Sequence, residues 1–461
     1  MENCVKDLLM KMGHKVNEDA LSLIRQCDDW YANRQIEEFH HRKSVQGAEF
    51  DLERMNFAKR CCSDDANLCE VVEINAGKGE QGEAVRRILE QNRFDTQYRR
   101  QLERITANGT AACYIRLDNA TIYEDGHADG GEIRLNYVDA MGFMPLTVEN
   151  GDIVESACSG TTMVNGKKQT TLVVFLKQDG LYKAETHVFD EYGKEMEGKM
   201  MVLSLGDVKP FAVMRNAEVN NLDNMDGYGL PKLLGAIPVL KALDLAFNVL
   251  FRDLDKADKL ILINELLCSF DNNGNTITPN EQAKKLFVLL GEKLPNQKEL
   301  IQEYNPSIRI EELTKTIELL LSLLSMMFGY GTKKYSFENG NITTATEYIG
   351  ERQDQMQELN RQRKEAMYYI RDICRAVLWF ENTFHGKMYN LDEEIMIDFD
   401  DSYITDKEAE LERKRNDAIT FEIKELLQWY LQDAYNATPE EAAGMIEQKD
   451  AEETDDEEEQ D

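Results

Sequence analysis

The strongest constraint on the fold lies between residues 310 and 381, where two long helical patterns are separated by a short polar break. Ile310, Leu313, Ile317, Leu320, Leu324 and Met327 step by three and four residues, as one helix face requires. The chain then reads GYGTKKYSFENGNITTATEYIGERQDQM from Gly329 to Met356. Gly329 and Gly331 are stop signals, because glycine accepts the left-handed backbone that ends helices. Thr344 and Glu347 form a T-x-x-E capping box, in which each side chain satisfies a free backbone N–H of the new helix. From there to Glu381 one face is kept by Ile349, Met356, Leu359, Ala366, Ile370, Ile373, Val377 and Phe380, broken by Arg352 and Arg363. A helix of that length spans roughly 55 Å. It must cross the molecule or a boundary between subunits.

A matching helix precedes this pair. Leu233, Ile237, Leu240, Phe247, Phe251 and Leu254 form a stripe from about Pro231 to Lys259, with Asp244 as the polar intruder. Pro231 suits a first turn, and Pro238, a turn further in, points to a kink or a later start. Between the two apolar helices, LILINELL, KKLFVLLGE and LIQEYNPS read as strands around a short helix, a compact tip on a helical hairpin.

The first hundred residues read as three helical stretches: EDALSLIRQCDDWYANRQIEEFHH, FDLERMNFAKRCCSDDANLCEVV and GEAVRRILEQNRFDTQYRRQLERIT. From Gly109 to about Arg215 the texture is β-rich, with AACYIRLD and EIRLNYVD as strands. Hairpin turns are expected at Asn150-Gly151, Asn165-Gly166 and Asp179-Gly180, since these residues tolerate positive φ. The fold class is therefore α+β, mainly helical, with an antiparallel sheet. Near the C-terminus EEIMIDFDD reads as a strand and DKEAELERKRNDAITFEIKELLQWYLQDAY as a helical region. Thr438-Pro439 starts another helix, and an acidic tail follows.

The net charge of -33 excludes a broad basic face that grips nucleic acid. It leaves room for a surface that nucleic acid passes without sticking. Nine scattered cysteines suit a reducing compartment, and CCSDDANLC reads as buried thiols rather than half a metal site. The N-terminus has no signal-peptide core, and the longest apolar run, Leu319–Phe328, is too short to span a bilayer. No nucleotide-binding, nucleophile-elbow or zinc-protease motif is present. His40-His41 reads as a solvated helix face, and Asp64-Asp65 or Asp400-Asp401 as chance pairs rather than a two-metal nuclease site. A mechanical or scaffolding role is expected, without bond chemistry, metal or cofactor.

Four segments, in order, carry a resemblance: DDWYANRQIEEFHH with RMNFAKRCCSDDANL, then NNLDNMDGYGLPKLLGAIPVLKALDLAFNVLFRDLD, then ITTATEYIGERQDQM. Together the chain resembles the portal (head–tail connector) proteins of tailed bacteriophages, of the siphophage type. The resemblance implies a wing at 1–229, stem helices at 230–259 and 309–328, and a clip at 260–308. It further implies a tunnel loop at 329–342, a long wing helix and returning strand at 343–402, a helical crown at 403–447 and a disordered acidic tail at 448–461. It implies a homo-oligomeric ring of about twelve subunits at one capsid vertex, in the virion after assembly in the host cytoplasm. Double-stranded DNA would be packaged and ejected through its channel. Terminase, then head–tail adaptors, would dock on it, and major capsid and scaffolding proteins would surround it; no membrane is involved.

Lys333, Lys334, Tyr335, Phe337 and Asn339 map to the channel loop, the lysines for weak phosphate contacts. Lys241, Arg252 and Lys256 map to the stem, as intersubunit ion pairs more readily than DNA contacts. The rival reading is a helical head-assembly scaffold or adaptor without a DNA channel.

Overall fold

The computed structural model describes residues 3–43, 47–123, 128–198, 200–223, 225–255, 260–264, 287–290, 301–304, 309–335, 345–400, 415–416, 424–435, 438, 442–444 and 446. The chain is mixed α and β with small, mostly antiparallel sheets. It divides into two units, Met1–Asn67 with Ala76–Ile395, and Leu68–Asn75 with Met396–Asp461.

The N-terminal helices are shorter than their apolar patterns suggest, because asparagines end or begin them. Helix α1 (Asn3–Lys11) is followed by α2 (Glu18–Tyr31), whose N-cap Asn17 accepts a 3.0 Å bond from the Ala20 N–H. The first stretch, expected as one helix, stops at Tyr31, and Asn33 takes a positive φ of 52°. One turn, α3 (Glu37–His40), and a small hairpin, β1 (His41–Lys43) and β2 (Glu49–Asp51), complete it. The second stretch is helical only over α4 (Phe57–Ala66) and ends in a strand, β3 (Val71–Asn75). The third splits into α5 (Glu80–Gln91) and α6 (Phe94–Asn108). At the break, Asn92 bonds the carbonyls of Ile88 (2.8 Å) and Ile133 (3.2 Å) and accepts the Leu135 N–H (3.0 Å), so the side chain replaces the lost helical bonds.

The β-rich region holds β4 (Thr110–Asp118), β5 (Thr121–Ile122), β6 (Ala128–Asp129), β7 (Glu132–Asp139), β8 (Phe143–Glu149), β9 (Asp152–Val164), β10 (Lys167–Gln178), β11 (Leu181–Phe189), β12 (Met201–Ser204) and β13 (Phe211–Arg215). A three-stranded sheet runs β13-β4-β7 and a five-stranded sheet β12-β11-β10-β9-β8, antiparallel throughout. All three expected turns form, each with positive φ at both residues, as at Asn165 (52°) and Gly166 (77°). Tyr114, Phe175 and Phe211 join the two sheets, with ring centroids 5.7 and 5.4 Å apart. On the five-stranded sheet, Val5 and Leu9 of α1 pack with Leu172 and Val174 in a fully buried cluster.

Helix α7 (Lys232–Asp255) runs through Pro238 without a later start. It is long and apolar enough to cross a membrane by length and composition, but half of that window is buried within its own unit. Asp244 and Asn248 are also buried on it and hydrogen-bonded, as a core helix requires. The tip contains β14 (Leu260–Asn264), β15 (Phe287–Leu290) and β16 (Ile301–Tyr304), with β14 central, parallel to β15 and antiparallel to β16. The short helix expected beside them lies outside the described residues. Helix α8 (Ile310–Met327) returns against α7. Its buried face is Ile317, Leu321, Leu324 and Phe328, rotated from the expected stripe, so that Ile310 and Met327 are exposed.

The long helix is α9 (Ala345–Phe384), 40 residues, or about 60 Å. Leu359, Ala366, Ile370, Ile373, Val377 and Phe380 are buried as the periodicity requires, and α9 and α6 both pack on the three-stranded sheet. In the second unit β17 (Met396–Phe399) pairs antiparallel with β3, and α10 (Lys424–Tyr435) is the longest helix among the described residues.

Candidate functional site

The hairpin of α7 and α8 and the loop that leaves it are built on a buried charge cluster. Lys232, in the first turn of α7, is an unfavourable place for a cation, since helix N-termini favour anions. The side chain is nonetheless only 3% exposed, with Nζ 3.1 Å from Asp65 and 3.4 Å from Glu358 on α9. Asp65, at the end of α4, also accepts the hydroxyls of Thr106 (2.7 Å) and Tyr330 (3.0 Å). Burial alone would lower the Lys232 pKa, but the Asp65, Glu358 and Glu218 carboxylates more than offset it and hold the value above normal. Burial pushes the Glu218 carboxyl up, and Lys232 partly restrains it. One cluster thus ties α4, α6, α7, α9 and the end of α8 at the point where the loop departs.

The loop root is anchored by its tyrosines. Tyr330 is buried against Phe328 and pinned to Asp65, and burial raises its hydroxyl pKa far above normal. Tyr335 donates its backbone N–H to Ser325 Oγ (3.1 Å). Its buried hydroxyl lies by Cys61 and Asp64 without a well-formed hydrogen bond, and burial drives its pKa up as well. Burial also pushes the Cys61 thiol up to about 12, which leaves it protonated and a poor metal ligand at neutral pH. Between the tyrosines, Lys333 and Lys334 are exposed, with the Lys334 ammonium 5.6 Å from the Tyr330 ring. Phe337, Asn339 and Thr344 lie outside the described residues; Glu347 is on α9, but its side chain is not described.

Two stem cations have partners within the chain. Lys241 sits over the Phe39 ring at 5.5 Å and Arg252 over Phe50 at 4.4 Å. Lys256 lies outside the described residues. Arg309 makes a two-pronged ion pair to Asp253 at 2.9 and 3.0 Å, closing the far end of the hairpin.

The Asp244 intruder explains a second departure. His40 is buried, not solvated: its Nδ1 accepts the Ile36 N–H at 3.0 Å, so Nε2 carries the proton and donates to Asp244 at 3.3 Å. Asp244 also accepts the Met55 N–H (2.9 Å), and Asn248 exchanges two bonds with the Glu53 backbone (2.9 and 2.7 Å). Burial raises the Asp244 pKa, against the pull of Met55 and His40. The polar residues of α7 therefore clamp the N-terminal segment onto the hairpin.

The hairpin leaves large apolar side chains exposed along both of its helices. Leu245, Phe251 and Leu254 of α7 are exposed, as are Leu319, Leu323, Met326 and Met327 of α8. Leu319 is 61% exposed. Exposed large side chains in such number on two adjacent helices mark an interaction surface.

No family model matches the chain, and no curated protein does. Among solved structures, it is similar to the neck of a native GTA particle computed with C12 symmetry, at 11% identity and a TM-score of 0.36, covering 77% of this chain and 83% of the other. It is similar also to the neck of an empty GTA particle computed with C6 symmetry, at 15% identity and a TM-score of 0.35, again over 77% and 83%. Likenesses this remote establish neither family nor function.

Proposed function

We propose that the chain is a portal subunit: copies close into a ring around a channel that passes double-stranded DNA during packaging and ejection. The observation that carries this reading is the α7–α8 hairpin. It is rigidly rooted by the Lys232–Asp65–Glu358 cluster, yet its outer faces show Leu245, Phe251, Leu254, Leu319, Leu323 and Met326 to solvent. Such faces are satisfied when identical hairpins stand side by side, and a head-to-tail arrangement closes into a ring. The sequence resemblance to portal proteins supports the same arrangement.

The loop after Phe328 enters the channel, where Lys333 and Lys334 touch passing phosphates. Two cations per copy in a chain of net charge -33 give weak contact without tight binding, which suits sliding. The ring serves as a passive conduit, without catalysis of its own, in a phage-like particle. Terminase and then adaptors dock on the ring. The test is sedimentation of the purified protein together with Lys333→Ala/Lys334→Ala in assembling particles. Ring-sized species, and altered DNA packaging or retention in the variant, support the reading. A protein that stays monomeric with its partners present sinks it, whereas rings with unchanged packaging remove only the lysines.

A further inference from the structure

Strands β9 and β10 are longer than the sheet that holds them. β8 pairs with β9 only as far as Cys158, and β11 reaches β10 only from Thr170. Beyond these points the ladder continues as a bare two-stranded arm, with Thr161 opposite Thr170, Met163 opposite Lys168 and Val164 opposite Lys167. Every residue from Gly160 to Lys168 is exposed, and Met163 is 69% exposed. A Cβ added at Gly160 or Gly166 would meet nothing within 4 Å. At its root the arm stands off from β4 and β7 across an open cleft of ≈ 580 Å³.

An isolated two-stranded ribbon is marginal in water, and a strand edge without charge or proline is a template for pairing. The arm's outer β9 edge is of this kind, reading Gly-Thr-Thr-Met-Val over 160–164. The opposite end of the same sheet has a second open edge. β12 pairs with β11 on one side, and among the described residues no strand covers its other side. Met201 at its start and Met200 just before it are exposed, as is Glu197; Glu195 is held by His187 at 2.7 Å. The arm brings Lys167 and Lys168.

We propose that the arm of one copy adds a strand to the β12 edge of the next, placing Met163 and Val164 against Met200 and Met201, with the arm lysines near Glu197. The occupant is a second copy because the two edges are close in length, both present exposed methionine, and the arm's lysines find Glu197 beside the β12 edge. They lie at opposite ends of one sheet, so the contact is head-to-tail and propagates around a ring rather than closing as a two-fold dimer. This inference rests on the ring reading above and gives it a specific interface.

The test pairs Met163→Cys with Met201→Cys in the full chain and treats the purified protein with a short bismaleimide, each single variant serving as control. Neighbouring strands lie about 5 Å apart, well within that reagent's reach. Seven of the native cysteines are buried, which keeps the background low. A ladder of dimers, trimers and higher species from the double variant alone is the expected result. Dimers only would overturn the head-to-tail geometry. Closed rings in the microscope with no cross-linking would overturn the arm and leave the ring reading intact. A long ladder without closed rings would uphold the arm and overturn the ring. Monomers without cross-links would overturn both.

Discussion

Replacing Lys232 with Met should release the loop root as well as destabilise the protein. The ammonium is nearly enclosed, 3.1 Å from Asp65 and 3.4 Å from Glu358. Glu358 keeps a second cation, Arg361 at 2.9 Å, but among the described residues Asp65 would retain the Thr106 and Tyr330 hydroxyls and no cation. Removing one partner of a buried ion pair costs about 3–5 kcal/mol, mostly because the other charge is left uncompensated. The damage should centre on Asp65. Neutralising it in Lys232→Met/Asp65→Asn should therefore recover part of the loss, with a coupling of about 0.5–3 kcal/mol. Urea unfolding gives the energies, and amide exchange over residues 325–335 reports on the loop root. A loss below about 1 kcal/mol, or strict additivity in the double variant, would refute the cluster as the element that fixes the loop. The pH dependence has a definite sign. Because the folded pKa of Lys232 is raised, its contribution is whole at neutral pH. It is lost only as pH rises through that folded value, above the ordinary lysine pKa of about 10.4.

Leu319→Glu/Leu323→Glu should abolish self-association while each copy stays folded, since exposed substitutions change stability by about 0.5 kcal/mol or less; sedimentation against urea unfolding separates the two effects. Gly229→Ala should sharply reduce soluble yield and melting temperature, because the new Cβ would lie 2.2 Å from the Gly109 carbonyl oxygen, backbone that cannot swing aside. Asp244→Ala leaves the Met55 N–H and His40 Nε2–H without their acceptor, at about 1–3 kcal/mol for each buried donor, read by thermal unfolding; an unchanged midpoint would contradict the clamp.

Periodicity carried most of the helical architecture. The two hairpin helices, the break at Gly329 and the long helix were legible because apolar steps of three and four residues mark a helix, although Phe251, Leu254, Ile310 and Met327 of the expected stripes are exposed. The three β-turns were legible because Asn-Gly and Asp-Gly select a backbone that few residues adopt. The N-terminal helices were overextended, since nothing local distinguishes Asn33 and Asn92 from ordinary helix residues; Asn92 acts through the backbone of Ile133 and Leu135, far along the chain. The charge cluster was missed for the same reason. Asp65, Lys232 and Glu358 are spread over the sequence, and only the misplaced lysine at a helix start hinted at a partner. His40 looked solvated because its partner, Asp244, is distant in sequence, although a lone acid in an apolar stripe already called for a donor.

Electron microscopy of the purified chain, scored on end-on views, bears most directly on the central claim. Closed rings of about twelve copies with an open centre are the expected outcome, with the α7–α8 hairpins side by side around it. Monomers or two-fold dimers at high concentration, in the presence of the packaging partners, would contradict the portal reading and leave a scaffold or adaptor in its place.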